Sequence, residues 1–213
     1  MAIRPIYLVN YEYPYYKCIN QEFDWYSGFA TSQKQKSIAS LHNNFLAKYN
    51  KLNILEVSSK SDKMLGNKLS AFNLKKYVKS INQYVPVENI FQSSKVFEDD
   101  KQFEELLFVS PKESKRVVRE YGKNIKKFRF EGNDYPINPL TIFYDYIYMN
   151  ALLENNDLIE EVRKVDAFTD IEFNPNKSIN CQAMALAKFV SLYRLGLIDK
   201  IKNFNDFYEI FKK

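Results

Sequence analysis

The chain is short of the residues from which most enzyme signatures are built. Its 213 residues include one histidine, His42, two cysteines, Cys18 and Cys181, and five glycines. One histidine and two dispersed cysteines cannot assemble the nitrogen and sulfur ligand sets of structural zinc. A histidine-based Ser or Cys triad could draw only on His42, and no nucleophile elbow accompanies it. Five glycines leave neither a phosphate-cradling loop nor a dinucleotide fingerprint. No apolar run approaches the roughly 20 residues that a membrane helix requires, so a soluble protein without membrane partners is expected. Arginine is scarce as well, with six against 25 lysines; 31 basic and 26 acidic residues leave a net charge of +5. That balance is compatible with nucleic acid without demanding it. The remaining chemistry rests on carboxylates, lysines, amides and aromatics, with no cofactor and no metal expected.

Two distant cysteines and no charged-then-apolar leader point to a reducing, cytoplasmic setting. Without a secretory signal the Asn176-Lys177-Ser178 acceptor triplet carries no meaning. With 46% hydrophobic residues, the chain is long enough to bury one full core, perhaps with an extension. There is no internal repeat.

The first thirty residues are rich in aromatics. Ile6 to Val9 reads as a strand, and Thr31 or Ser32 is placed to cap a helix with apolar positions Ile38, Leu41, Phe45 and Tyr49. Lys34 falls on the inward side of that helix, where a lysine either snorkels outward or, near Trp25, lines a ligand pocket. Ile54 to Ser58 alternates as a strand, and Leu65 to Leu74 reads as a loop feeding an extended piece. Phe103 to Leu107 and Pro111 to Tyr121 read as helices. Phe128 to Phe130 with Gly132-Asn133-Asp134 gives a small strand and turn. Pro139 opens a helix through Ile142, Tyr146 and Met149 to about Leu153; Leu158 to Val165 is ambiguous between strand and helix.

The stretch from Pro86 to Lys95 is the most informative. Glu88, Gln92 and Lys95 stand at i, i+4 and i+7, which on a helix projects an acid, an amide and an amine from one stripe. Pro86 suits the first turn, and Glu88 suits the positive end of the helix dipole. Val87, Phe91 and Val96 flank the stripe with apolar groups, unlike a solvated face. The alternative is a surface helix supported by a Glu–Lys pair, worth a few tenths of a kcal/mol. A second polar stretch runs from Phe168 to Asn180. There Asp170 and Glu172 share a face if the backbone is extended, and Asn180 either caps the following helix or contacts a ligand.

The segment Leu69-Ser70-Ala71-Phe72, then Glu88-x-x-Phe91-Gln92-x-x-Lys95, then Ser110-Pro111 through Lys115, then a late Asp and Asn before a small-residue helix, together resemble the NADAR (YbiA-like) N-glycosidase superfamily. Asn89 replaces the usual His of that helix, and Ala71 the usual Asn. Trp25-Tyr26-Ser27-Gly28-Phe29 with Gln33 to Lys36, Phe143-Tyr144-Asp145-Tyr146, and Thr169 to Pro175 followed by Asn180-Cys181-Gln182-Ala183 are similar to the antitoxin branch associated with DarT-type DNA ADP-ribosyltransferase toxins.

The resemblance implies an α+β, mainly α, fold: a helical core with a small β-sheet and an aromatic N-terminal extension. It covers a single domain over residues 1–213, the branch-specific part being 1–52 on a core of 53–213. The implied activity removes ADP-ribose from guanine in DNA, with ADP-ribosylated, single-stranded DNA as substrate and a DarT-type toxin as functional partner. Glu88, Lys95 and Asp170 are the expected catalytic residues; Trp25, Lys34, Ser70, Phe72, Asn73, Gln92, Glu172, Asn180 and Gln182 are the expected substrate contacts. Two other readings remain at this point. One is an N-glycosidase acting on a small ribosylated base such as a riboflavin-pathway intermediate, and the other is a non-catalytic antitoxin or adaptor.

Overall fold

The computed structural model describes residues 1–212. In chain order the strands and helices are β1 (Ala2–Val9), β2 (Tyr16–Phe23), α1 (Thr31–Leu46), β3 (Ile54–Glu56), α2 (Met64–Lys68), β4 (Lys75–Val78), β5 (Gln83–Pro86), α3 (Val87–Ser93), β6 (Lys95–Phe97), α4 (Pro111–Tyr121), β7 (Ile125–Phe130), β8 (Asn133–Tyr135), α5 (Ile142–Leu153), α6 (Asn156–Val162), β9 (Ala167–Thr169), α7 (Gln182–Arg194), α8 (Asp199–Lys202) and α9 (Phe204–Phe211). Helix predominates over strand and the sheets are small, an α+β arrangement. None of the described helices is long and apolar enough to cross a membrane. The chain forms two compact units, one of residues 1–70 and 156–200, the other of residues 71–155 and 201 onward.

The first unit is built on a four-stranded sheet of order β2-β1-β9-β3. β1 and β2 pair antiparallel along their full length, from Ala2 opposite Phe23 to Val9 opposite Tyr16. β9 runs antiparallel to β1 and parallel to β3. Helix α1 lays Ile38, Leu41 and Phe45, spaced three and four apart, against Ile6, Phe23, Ile54, Ala167 and Ile171, the one-sided pattern that drives an amphipathic helix onto a sheet. Helix α7, by contrast, is buried from Gln182 to Leu192, and it packs on β1 and β9. Gly66 in α2 is required by a close approach, since a Cβ there would lie 1.9 Å from the Glu56 carbonyl oxygen.

In the second unit the β4–β5 hairpin leads directly into α3, and β6, β7 and β8 form an antiparallel sheet. Helix α4 has clear boundaries: the Ser110 side chain accepts from the Glu113 amide, Pro111 opens the first turn, and Gly122 closes the helix at φ +69°. Phe97, Leu106 and Val118 form a small core beneath it. Around α3, the ring of Phe91 meets Phe128 at 5.5 Å and Tyr144 edge-on at 5.1 Å.

Several local expectations are corrected. Neither Thr31 nor Ser32 caps α1; Ala30 occupies the N-cap position with no side-chain bond. Tyr49 lies beyond the helix, yet its ring still stacks on Phe45 at 4.8 Å. Part of the expected 65–74 loop is helix α2. Residues 104–108 make a 3-10 turn instead of an α-helix, and the ambiguous 158–165 stretch is helical through Val162. Cys181, not Asn180, occupies the N-cap position of α7, again without a side-chain bond.

Candidate active site

Helix α3 is buried along its whole length, which excludes the surface-helix alternative. Pro86 holds the N-cap position, and Val87 begins the helix with its amide donating to the Leu74 carbonyl. The Glu88 amide donates to the Ala71 carbonyl. The segment before β4 therefore satisfies two of the free donors at the helix start.

The helix stops at Ser93, with Ser94 as its C-cap, so the expectation that Lys95 lies on α3 is corrected: it is the first residue of β6. Its amine nevertheless returns to the stripe. Lys95 Nζ donates to Gln92 Oε1 at 2.7 Å, and Gln92 Nε2 donates to Glu88 Oε1 at 2.8 Å. The amide thus joins the amine to the acid, with its oxygen toward one and its NH2 toward the other. Glu88 and Gln92 are 6% and 5% exposed. Lys95 Nζ lies 4.6 Å from the centroid of the Phe91 ring.

Burial lowers the pKa of Lys95 from 10.5 to about 8; Glu88 opposes that shift and the nearby Lys115 adds to it. A lysine held in an apolar surround next to another cation is how a nucleophilic amine is made available near neutral pH. Lys115 lies within the Ser110-to-Arg116 segment, though it is not one of the expected site residues. It is exposed on α4, with its ammonium 5.9 Å from the Phe72 ring. Asn89 is fully buried and donates to the carbonyls of Leu106 and Val109 at 2.7 and 2.8 Å. It ties α3 to the segment that precedes α4.

The second unit thus brings together Glu88, Gln92 and Lys95, and also holds Phe72, half-buried, and Asn73, exposed. The other candidates belong to the first unit. There Trp25, Lys34 and Glu172 meet: Lys34 Nζ is 4.5 Å from the indole centroid and 3.4 Å from Glu172 Oε1, and the Arg4 guanidinium is 5.3 Å from the same ring. Trp25 is half-buried against the sheet core, with Phe23 edge-on at 6.2 Å. Its contribution is a ring bearing two cations.

Asp170 Oδ1 accepts from the amides of Glu172 and Phe173 at 3.0 and 3.2 Å, fixing a turn. Ser70 and Gln182 are buried, and the Gln182 side chain donates to the Val57 carbonyl; Asn180 is half-buried.

Sequence reasoning also missed a buried polar chain on either side of Asp170. Glu56, 1% exposed, accepts from Thr169 Oγ1 at 2.6 Å and from the Ile171 amide at 2.9 Å. Thr169 Oγ1 is also 2.8 Å from His42 Nε2. Burial raises the Glu56 carboxyl above its usual range and lowers His42 to about 4. The sole histidine is thus a neutral structural partner. The only available signal was the alternation Ile54-Leu55-Glu56, which places an acid within an otherwise apolar strand.

The profile of the DarT1-associated NADAR antitoxin matches residues 2–213. The chain belongs to that NADAR antitoxin family. Its functional counterpart is accordingly a DarT-type toxin. A search of curated proteins finds no match. Within this NADAR chain, Glu88 and Gln92 lie on α3, Lys95 opens β6, and Asn89 ties α3 to the segment before α4.

Proposed function

We propose that this NADAR antitoxin is an N-glycosidase that removes ADP-ribose from guanine in DNA, undoing the modification made by its toxin. The observation that carries the reading is Lys95, an amine with a lowered pKa joined through Gln92 to the buried Glu88 carboxyl. In the proposed reaction, neutral Lys95 attacks the anomeric carbon as the bond to the guanine nitrogen breaks. Glu88 delivers a proton to the departing base. The ribose ring opens to an imine on Lys95, and water, deprotonated by Glu88, hydrolyses it to free ADP-ribose and the original amine.

Phe72, Asn73 and Gln92 are proposed to hold the substrate around this pair, in a core of the YbiA-like kind. In the first unit, the Trp25 ring with its two cations suits a nucleotide or its phosphates. There we assign Asp170 as a supporting acid or base, with Ser70, Glu172, Asn180 and Gln182 as polar contacts. The test is incubation with ADP-ribosylated single-stranded DNA, scored for free ADP-ribose and restored guanine. Borohydride reduction during turnover should trap a covalent adduct on Lys95. Release without an adduct would replace imine formation by direct acid/base hydrolysis. No release from DNA, together with cleavage of a small ribosylated base, would shift the substrate to the small-molecule class.

A further inference from the structure

Helix α4 carries four exposed basic residues in three turns, and they are not equivalent. Arg116 is neutralised by its own helix: Nε is 3.0 Å from Glu113 Oε2 and Nη1 is 2.9 Å from Glu120 Oε2. Lys112, Lys115 and Arg119 carry no ion pair among the described residues. At 3.6 residues per turn these three fall within an arc of about 60°, while Glu113 and Glu120 sit on the far side of Arg116.

The three basic residues of β7 contrast with this stripe. Lys126 pairs with Asp100, while Lys127 and Arg129 share Asp134. The helix that carries the stripe packs directly on α3, and Lys115, its ammonium 5.9 Å from the Phe72 ring, is near enough to Lys95 to oppose its charge.

We propose that Lys112, Lys115 and Arg119 form a track for the phosphates of a single DNA strand, leading to Lys95. This rests on the reading of the chain as a DNA glycosidase. At 1.5 Å rise per residue the stripe is about 10 Å long, long enough to meet more than one phosphate of a strand. Paired basic residues would have to exchange a carboxylate for each phosphate. The stripe exchanges only counterions, and this is what gives binding its salt dependence.

The experiment compares the full-length wild type with Lys112→Gln/Arg119→Gln, leaving Lys115 intact beside the reactive amine. A control, Lys48→Gln/Lys51→Gln, removes the same net charge from exposed positions of the first unit. Binding to an ADP-ribosylated single-stranded oligonucleotide is measured across a salt series, and turnover of ADP-ribosyl guanosine at fixed salt. Removing two phosphate contacts should lower the magnitude of the salt slope by about 1.4. If the proteins bind equally at 1 M salt, that slope corresponds to about 25-fold weaker binding at 0.1 M. Nucleoside turnover should stay at the wild-type level, and the control should keep the wild-type slope. An unchanged slope in the α4 variant, or an equal loss in the control, overturns the track while leaving the glycosidase reading intact. Failure of the wild type to hydrolyse either substrate overturns the glycosidase reading itself.

Discussion

Replacing Lys95 with methionine should abolish hydrolysis and make the protein more stable at neutral pH. Methionine keeps most of the length and apolar stem of lysine without the charge. The Lys95 pKa falls from 10.5 to about 8, so the folded protein holds the charged form less well than the unfolded chain does. At about 1.4 kcal/mol per pH unit, this difference costs about 3 kcal/mol wherever both states are protonated. The loss of the hydrogen bond to Gln92 offsets part of the gain, by about 1–2 kcal/mol. Lys95→Met should therefore gain about 1–2 kcal/mol at pH 7. The sign follows from linkage. Between pH 8 and 10.5 the unfolded lysine keeps a proton that the folded one has lost, so wild-type stability rises with pH through that window. The advantage of Lys95→Met should shrink and then reverse. Urea denaturation of both proteins at pH 7, 9 and 10.5 provides the measurement, with release of ADP-ribose from modified DNA as the activity check. A stability difference that is the same at all three pH values would refute the buried-amine argument. Hydrolysis by Lys95→Met would refute the chemical role.

Glu88→Gln should reduce turnover by at least a hundredfold with the fold retained, since proton transfer from a positioned group contributes about 10²–10⁴-fold; near wild-type turnover would place the acid elsewhere. Wild-type kcat/KM should fall as the pH rises through about 8, because the reaction uses the Glu88–Lys95 pair carrying one proton and that proton is lost as Lys95 titrates; a rate that keeps rising through pH 9 would show that the pair supplies no proton to the departing base. Asp170→Ala should impair activity more than Asp170→Asn, because the amide oxygen can still accept from the Glu172 and Phe173 amides; full activity in the alanine variant removes Asp170 from the chemistry. Glu56→Ala should cost about 1–3 kcal/mol by leaving the Ile171 amide and the Thr169 hydroxyl without their acceptor. Glu56→Gln, which can still accept from Ile171, should cost less in the same denaturation assay, and equal losses would argue against the hydrogen-bonded tie.

The sequence was most legible where side-chain pattern and chemistry coincide. Val87 to Gln92 shows both a helical spacing and an unusual acid–amide pair within apolar flanks, and the helix and its burial follow. Its end was not legible, because Ser93 and Ser94 give no strong stop signal, and pairing of Lys95 with Phe128 across β6 and β7 depends on residues more than thirty positions away. The same limit applies to Glu56. Its neighbours Ile54 and Leu55 predict a strand, while its partners Thr169 and Ile171 lie on a segment over a hundred residues later. Trp25 was legible as an aromatic near Lys34, but Arg4 on the same ring requires the β1–β2 pairing. Asn180 has the residue type of a cap, but the N-cap position falls on Cys181.

The departure of Lys95 from the helix matters to the chemistry. A lysine continuing α3 would have its backbone fixed by the helical ladder and its stem directed along the stripe. As the first residue of β6 it is held instead by the sheet register with Phe128, while its side chain reaches back to Gln92. The amine and the acid are thereby carried on two different elements, with the Gln92 amide setting their separation. Gln92→Glu would test this directly, since it replaces the bridge with a carboxylate beside both Glu88 and Lys95. A second acid should stabilise the ammonium form and raise the Lys95 pKa, moving the fall in kcat/KM to higher pH. An unchanged pH profile would show that Gln92 does not set the electrostatics of the amine.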